Sequence, residues 1–189
     1  MEPGAAEQRD AAVARARELF LDDRNLYGCA EATFVALKDA FGLPDAADSA
    51  AAMALNGGVA YSGATCGALT GAAMALGLLA ERRIDGHAAA KRAARVLTVQ
   101  LMAEFEREHG AVDCRRLLGK DIRTDEQHRA FIESGIWRDR CMGQIEFSVR
   151  RLARLADADE WARALERAVE PGDTGDTGAG HADEPAGGP

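Results

Sequence analysis

The sequence predicts an all-α fold, a compact multi-helix bundle around a central Gly/Ala-rich helix, and three features lead to it. Apolar residues recur at three- and four-residue steps through most of the chain. Alanine is abundant and β-branched runs are nearly absent, so intrinsic preference favours helix almost everywhere. Hydrophobic residues make up 47% and charged residues 29% of the 189 positions, enough for one globular domain with its own core, expected over residues 8–168.

Each element follows from its own pattern. Residues 7–22 set Val13, Ala16, Leu19 and Phe20 on one helical face before "DDRN" turns the chain. A second helix spans about 26–41, with Ala30, Phe34, Leu37 and Phe41 as its buried stripe, Cys29 in its first turn, and Gly42 and Pro44 as its stop. Residues 45–55 read as a short Ala-rich helix. It closes on "NGGVAYSGAT", whose glycines permit left-handed backbone or the close approach of another group. Thr65 stands ready to cap a helix over 66–83. Residues 86–109 form a longer amphipathic helix through Leu97, Leu101 and Phe105. "VDCRRLLG" then offers Asp113 as a cap and Cys114 in a short helical turn, and 120–140 is mostly polar and irregular, with a turn of helix at 124–133. Cys141, Ile145, Val149, Leu152 and Ala156 share one face of the next helix, and a last helix over 157–169 carries Trp161 and Leu165.

Charge and composition exclude several functions. The net charge is −8, and the 170–189 tail holds five acidic residues and no Lys or Arg, leaving about −3 for the rest. A mildly acidic domain has no electrostatic footprint for nucleic acid. The tail, rich in Gly, Asp and Pro, is expected to be disordered. No window has the roughly 18 apolar residues a membrane helix needs, and the N-terminus lacks an export pattern. A cytoplasmic location is therefore expected, where thiols stay reduced and four cysteines point to metal ligands, redox groups or inert core.

Cys29, Cys66, Cys114 and Cys141 each fall in the first turn of an expected helix and in step with its apolar stripe, so all four should point inward. A helix start favours anions, a thiolate included. The intervals are 37, 48 and 27 residues, with neither a CxxC pair nor a zinc-finger spacing, so only tertiary structure could join the sulfurs. Buried, chemically inert cysteines fit the pattern as well. Gly67 and Gly71 share one side of the Cys66 helix and thin it, which suits a close helix or a bulky cofactor. His109 could ligand a metal, although its place at a helix end reads more simply as a solvated dipole partner; His87 and His128 read as solvated. Glu31 could accept a thiol proton, but reads more simply as a surface carboxylate. No Walker loop, GxGxxG, HExxH or nucleophile elbow is present.

"CGALTG" at 66–71 resembles the CGAxxG element of the C_GCAxxG_C_C family, in which four cysteines recur in this order. "YGCAEATFVALKDAFGL" resembles its first cysteine helix, "NGGVAYSGATCGALTGAAMALGLL" its glycine loop and central helix, and "VDCRRLLGKD" its third cysteine segment, while Cys141 matches the fourth. The loop departs from the family in carrying Asn56, Tyr61 and Ala64 where more glycine and a charged residue are usual. The resemblance implies a redox role, with Cys29, Cys66, Cys114 and Cys141 holding an iron–sulfur cluster or other thiolate-bound metal beside Gly67 and Gly71.

Three functions follow as expectations: an electron-transfer module built on that metal group, a metal-free thiol–disulfide oxidoreductase using a cysteine pair, or a scaffold with inert cysteines. The sequence does not specify the redox partner protein, and a homodimer is compatible with it. At least three sulfurs are expected in one pocket, Cys66 central among them.

Overall fold

Nearly every residue of the second helix is apolar or small, and it becomes the buried axis of the molecule. In the computed structural model, which describes residues 5–169, that helix is α2, Cys29–Ala40, and every residue from Ala30 to Lys38 is buried. The other helices are α1 (Ala5–Phe20), α3 (Gly67–Arg83), α4 (His87–His109), α5 (Cys114–Leu118), α6 (Asp125–Glu133), α7 (Arg140–Ala153) and α8 (Ala158–Val169). Short 3-10 segments lie at Ala50–Leu55, Ile136–Arg138 and Arg154–Ala156. No strand occurs among the described residues, where sheet pairing is limited to one isolated bridge, Thr65 to Asp113. The tail expected to be disordered lies outside the described residues.

The Gly/Ala-rich α3 lies directly on α2, with Gly67, Ala68, Gly71, Ala72 and Ala75 all buried, and α4 covers its other side. On the far side of α2, α1 and α7 pack together. The α7 stripe of Cys141, Ile145, Val149 and Leu152 is buried as its spacing predicts. Ion pairs Arg150–Asp10 and Arg17–Glu146 link α7 to α1, and Arg151–Glu104 links it to α4. Such exposed pairs contribute about 0–1 kcal/mol each, so packing holds the bundle. Arg83 ends α3 by donating to the Leu155 and Ala156 carbonyls at 2.6 and 2.5 Å, which anchors the approach to α8.

Three expectations change. Only Ala50–Leu55 of the 45–55 segment is helical, and as 3-10. Buried Lys38 donates through Nζ to the Asp45 and Asp48 carbonyls, at 2.6 and 2.9 Å, and so draws the start of that segment onto the end of α2. Thr65 does not cap α3, because it is engaged in the bridge with Asp113; Cys66 takes the N-cap position. The helical turn expected at 124–133 is present as α6, while the rest of the 120–140 region is more ordered than its polarity suggests. Thr124 and Gln127 form a reciprocal capping box that starts α6, and Trp137 is buried edge-on against Phe20 at 5.3 Å.

Candidate functional site

The four cysteines arrive on four separate helix starts, and specific bonds tie those starts together. Cys29 opens α2, where the Ala30 N–H donates to the Asn56 side-chain oxygen at 2.9 Å, so a distant residue caps this helix. The Asn56 amide also donates to Glu31 at 2.8 Å, and Glu31 accepts from the Gly28 N–H at 3.0 Å and from the Ser49 hydroxyl at 2.9 Å. Glu31 is thus not a surface carboxylate but a buried one with three donors.

Cys66 and Cys114 are joined through the bridge. The Cys66 N–H donates to the Val112 carbonyl at 2.8 Å and the Cys114 N–H to the Ala64 carbonyl at 2.7 Å. Cys141 is the second residue of α7, whose first residue, Arg140, donates to the Leu117 carbonyl of α5 at 3.3 Å.

Glycine makes the approach possible. A Cβ on Gly67 would lie 2.3 Å from the Cys29 sulfur, and one on Gly71 would lie 2.3 Å from the Ala30 carbonyl oxygen. The thin face of α3 therefore receives the start of α2. The loop before α3 follows an unusual path, with positive φ at five consecutive residues from Gly57 to Tyr61, between 50° and 73°. Three of these carry side chains, and left-handed backbone costs such residues roughly 1–2 kcal/mol each.

Cys29, Cys114 and Cys141 line one cavity of about 140 Å³. Phe20, Ile122, Phe131 and Trp137 supply apolar walls, Glu31 and Asn56 the polar ones, and Tyr61 and His128 complete the lining. Since a liquid water takes about 30 Å³, the space admits a group of several heavy atoms. Cys66 lies outside this lining, buried, with its S–H donating to the Gln144 side-chain oxygen at 3.4 Å. It is still within electrostatic reach of the other three thiols. All four cysteines are free.

A family model described as "Putative redox-active protein (C_GCAxxG_C_C)" matches residues 27–155. The chain belongs to this family. The matched span holds all four cysteines, Gly67 and Gly71. No curated protein and no solved structure matches the chain.

In this C_GCAxxG_C_C protein burial pushes every thiol up. Desolvation is the largest cause at each, raising Cys114 to about 12 and Cys66 well above the ordinary thiol range, and neighbouring sulfurs add to the rise. Cys29 is also raised by desolvation, against an opposite push from nearby backbone N–H groups, that of Gly57 foremost, and Cys66 is opposed in the same way by the N–H of Ala68. The N–H groups of Cys66 and Cys114 are occupied in the bridge.

Among the described residues no group of three or more His, Cys, Asp or Glu side chains is placed to hold a single metal ion. The ligands of one tetrahedral ion would have to converge to about 3.8 Å from one another at a bond length of about 2.3 Å.

Two histidines depart from their expected solvation. His128 packs edge-on against Tyr61 at 4.6 Å and lines the cavity. His109 lies against Phe105 and Phe147, at 4.5 and 5.2 Å, with its Nε2 buried and unpaired among the described residues. Nothing local in the sequence marks either. His87 pairs with Glu81 on the surface, as a solvated residue would.

Proposed function

We propose that Cys29, Cys66, Cys114 and Cys141 are the thiolate ligands of an iron–sulfur cluster or comparable polynuclear metal group, and that the domain over residues 8–168 carries electrons to or from a redox partner protein in a reducing compartment such as the cytoplasm. The observation that carries this reading is the meeting of three free thiols on one cavity, with the fourth within electrostatic reach.

The donor set fits such a group chemically. Four close thiols in an apolar setting resist ionisation together, whereas a bound cation deprotonates coordinating thiols outright and offsets their repulsion. When bound, the group would supply one-electron redox chemistry. The chain's own residues do the rest. Backbone N–H groups near Cys29, that of Gly57 foremost, favour sulfur-borne negative charge, the Glu31–Asn56 network holds the start of α2 in place, and the aromatic wall limits water.

A dithiol oxidoreductase is the second reading, favoured by the same unpaired cysteines around one space. Buried thiols with raised pKa are weak attacking groups near neutrality, which counts against it.

Anaerobic purification followed by absorption spectroscopy and metal and sulfide analysis separates the two. A brown protein with stoichiometric iron and sulfide supports the cluster. Metal-free protein that cycles two thiols supports the second reading, and protein that does neither leaves the cysteines inert.

A further inference from the structure

We propose that Tyr61 and His128 form a gate over the cysteine cavity and set the size of what reaches Cys29, Cys114 and Cys141. Both side chains line the cavity, and their rings meet edge to face with centroids 4.6 Å apart. They come from different directions, Tyr61 from the loop before α3 and His128 from α6. No backbone hydrogen bond joins these two segments among the described residues, and the two rings meet across the cavity lining.

The position is that of a boundary. Tyr61 is 40% exposed, His128 is half-buried, and Leu26, which also lines the cavity, is 56% exposed. Both rings thus line the cavity while remaining partly exposed to water.

The loop is built to aim Tyr61. Its left-handed turn runs from Gly57 to Tyr61, and the Tyr61 ring folds back onto Gly57, where a Cβ would lie 2.4 Å from the ring. That same Gly57 lines the cavity together with Cys29. One turn thus reaches the cavity beside Cys29 at its start and sets the Tyr61 ring into the lining at its end. Backbone held in a rarely populated conformation to place one side chain is a feature of functional sites. The gate rests on the cavity being the functional site and not on which group the thiols hold.

The test uses full-length, reduced, metal-free protein. It is pulse-labelled with iodoacetamide or with fluorescein maleimide, and labelling at each cysteine is quantified by mass spectrometry of its tryptic peptide. Cys66, which does not line the cavity, serves as the internal control. Tyr61→Ala and His128→Ala should each speed maleimide labelling of Cys29, Cys114 and Cys141 by about tenfold, equivalent to about 1.4 kcal/mol of closure. Labelling of Cys66 should change little. The double variant should add little to either single one, because both remove the same closure, and Tyr61→Phe should keep the wild-type rates, since the ring closes the opening. Unchanged rates in both alanine variants overturn the gate. Equal acceleration at all four cysteines overturns it as well, because it signals general loosening. Should Tyr61→Ala melt early, His128→Ala decides the matter alone.

Discussion

Gly67 is the residue on which the site's geometry is most exposed to a small change. An added methyl would meet the Cys29 sulfur at 2.3 Å, so Gly67→Ala must displace a thiol, whereas Gly71→Ala drives a methyl into the Ala30 backbone oxygen and must separate two helices. Overpacking of this kind costs about 1–3 kcal/mol. Urea unfolding should show both losses, and on the proposed function the Gly67→Ala protein should also hold less metal; unchanged stability in both variants would contradict the close packing of α2 on α3. Asn56 carries a comparable burden, since it caps α2 at Ala30 and donates to buried Glu31. Asn56→Ala leaves a buried carboxylate short of a donor and should cost about 1–3 kcal/mol, more than Ser49→Ala, because Ser49 supplies one bond to the network and Asn56 two. Equal melting curves for the two variants would refute that ranking.

At the scale of elements, the Gly57–Tyr61 turn is the strained one. Val59 holds φ at 60°, a region that a β-branched side chain rarely adopts. Val59→Gly should relieve roughly 1 kcal/mol net, after the added entropy of the unfolded chain is counted, and raise the thermal midpoint by about 2–4 °C. A lower midpoint would mean that the side chain contributes more by its contacts than its backbone loses by strain. The α4–α7 pairing responds to acid. Arg151 beside Glu104 holds that carboxyl below its ordinary value of 4.5. A lowered folded-state pKa means stability that is fully present above pH 4.5 and lost as pH falls through the lowered value. Glu104→Gln should make the acid limb of the stability curve shallower, as urea unfolding at a series of pH values would reveal.

Across the whole molecule, the second pH response comes from His109, wedged between α4 and α7 by Phe105 and Phe147. Burial pushes its pKa below the ordinary 6.5, against a smaller opposite push from Glu108, and Asp139 and Arg140 share the surface hollow beside it. The unfolded chain takes up this proton first. Stability present above pH 6.5 is therefore lost as pH falls from there through the lowered folded value, at milder acidity than the Glu104 response. His109→Phe should remove this step from the pH dependence of the melting temperature and leave the Glu104 step below pH 4.5 in place. A profile identical to wild type would rule out His109 as its source.

Read alone, the sequence determined the helical class, the apolar stripes of α1, α2, α4 and α7, and the position of every cysteine at a helix start. These are local properties: a three-to-four-residue period and a Gly or Pro stop act within a few turns of the chain. It also carried one signal that polarity masked, the Thr124–Gln127 capping box of α6. Periodicity says which face of a helix is apolar, but not which face it will meet. Only the tertiary structure decided that Cys29, Cys114 and Cys141 share a cavity while Cys66 stands behind it, across intervals of 37, 48 and 27 residues. The same holds for Glu31 and His128, polar residues that look solvated in one dimension. Glu31 can be buried because Ser49 and Asn56 arrive from elsewhere to satisfy it, and His128 faces the cavity because a left-handed turn carries Tyr61 to meet it. A polar group's burial is set by partners distant in sequence, and those partners exist only once the chain has folded.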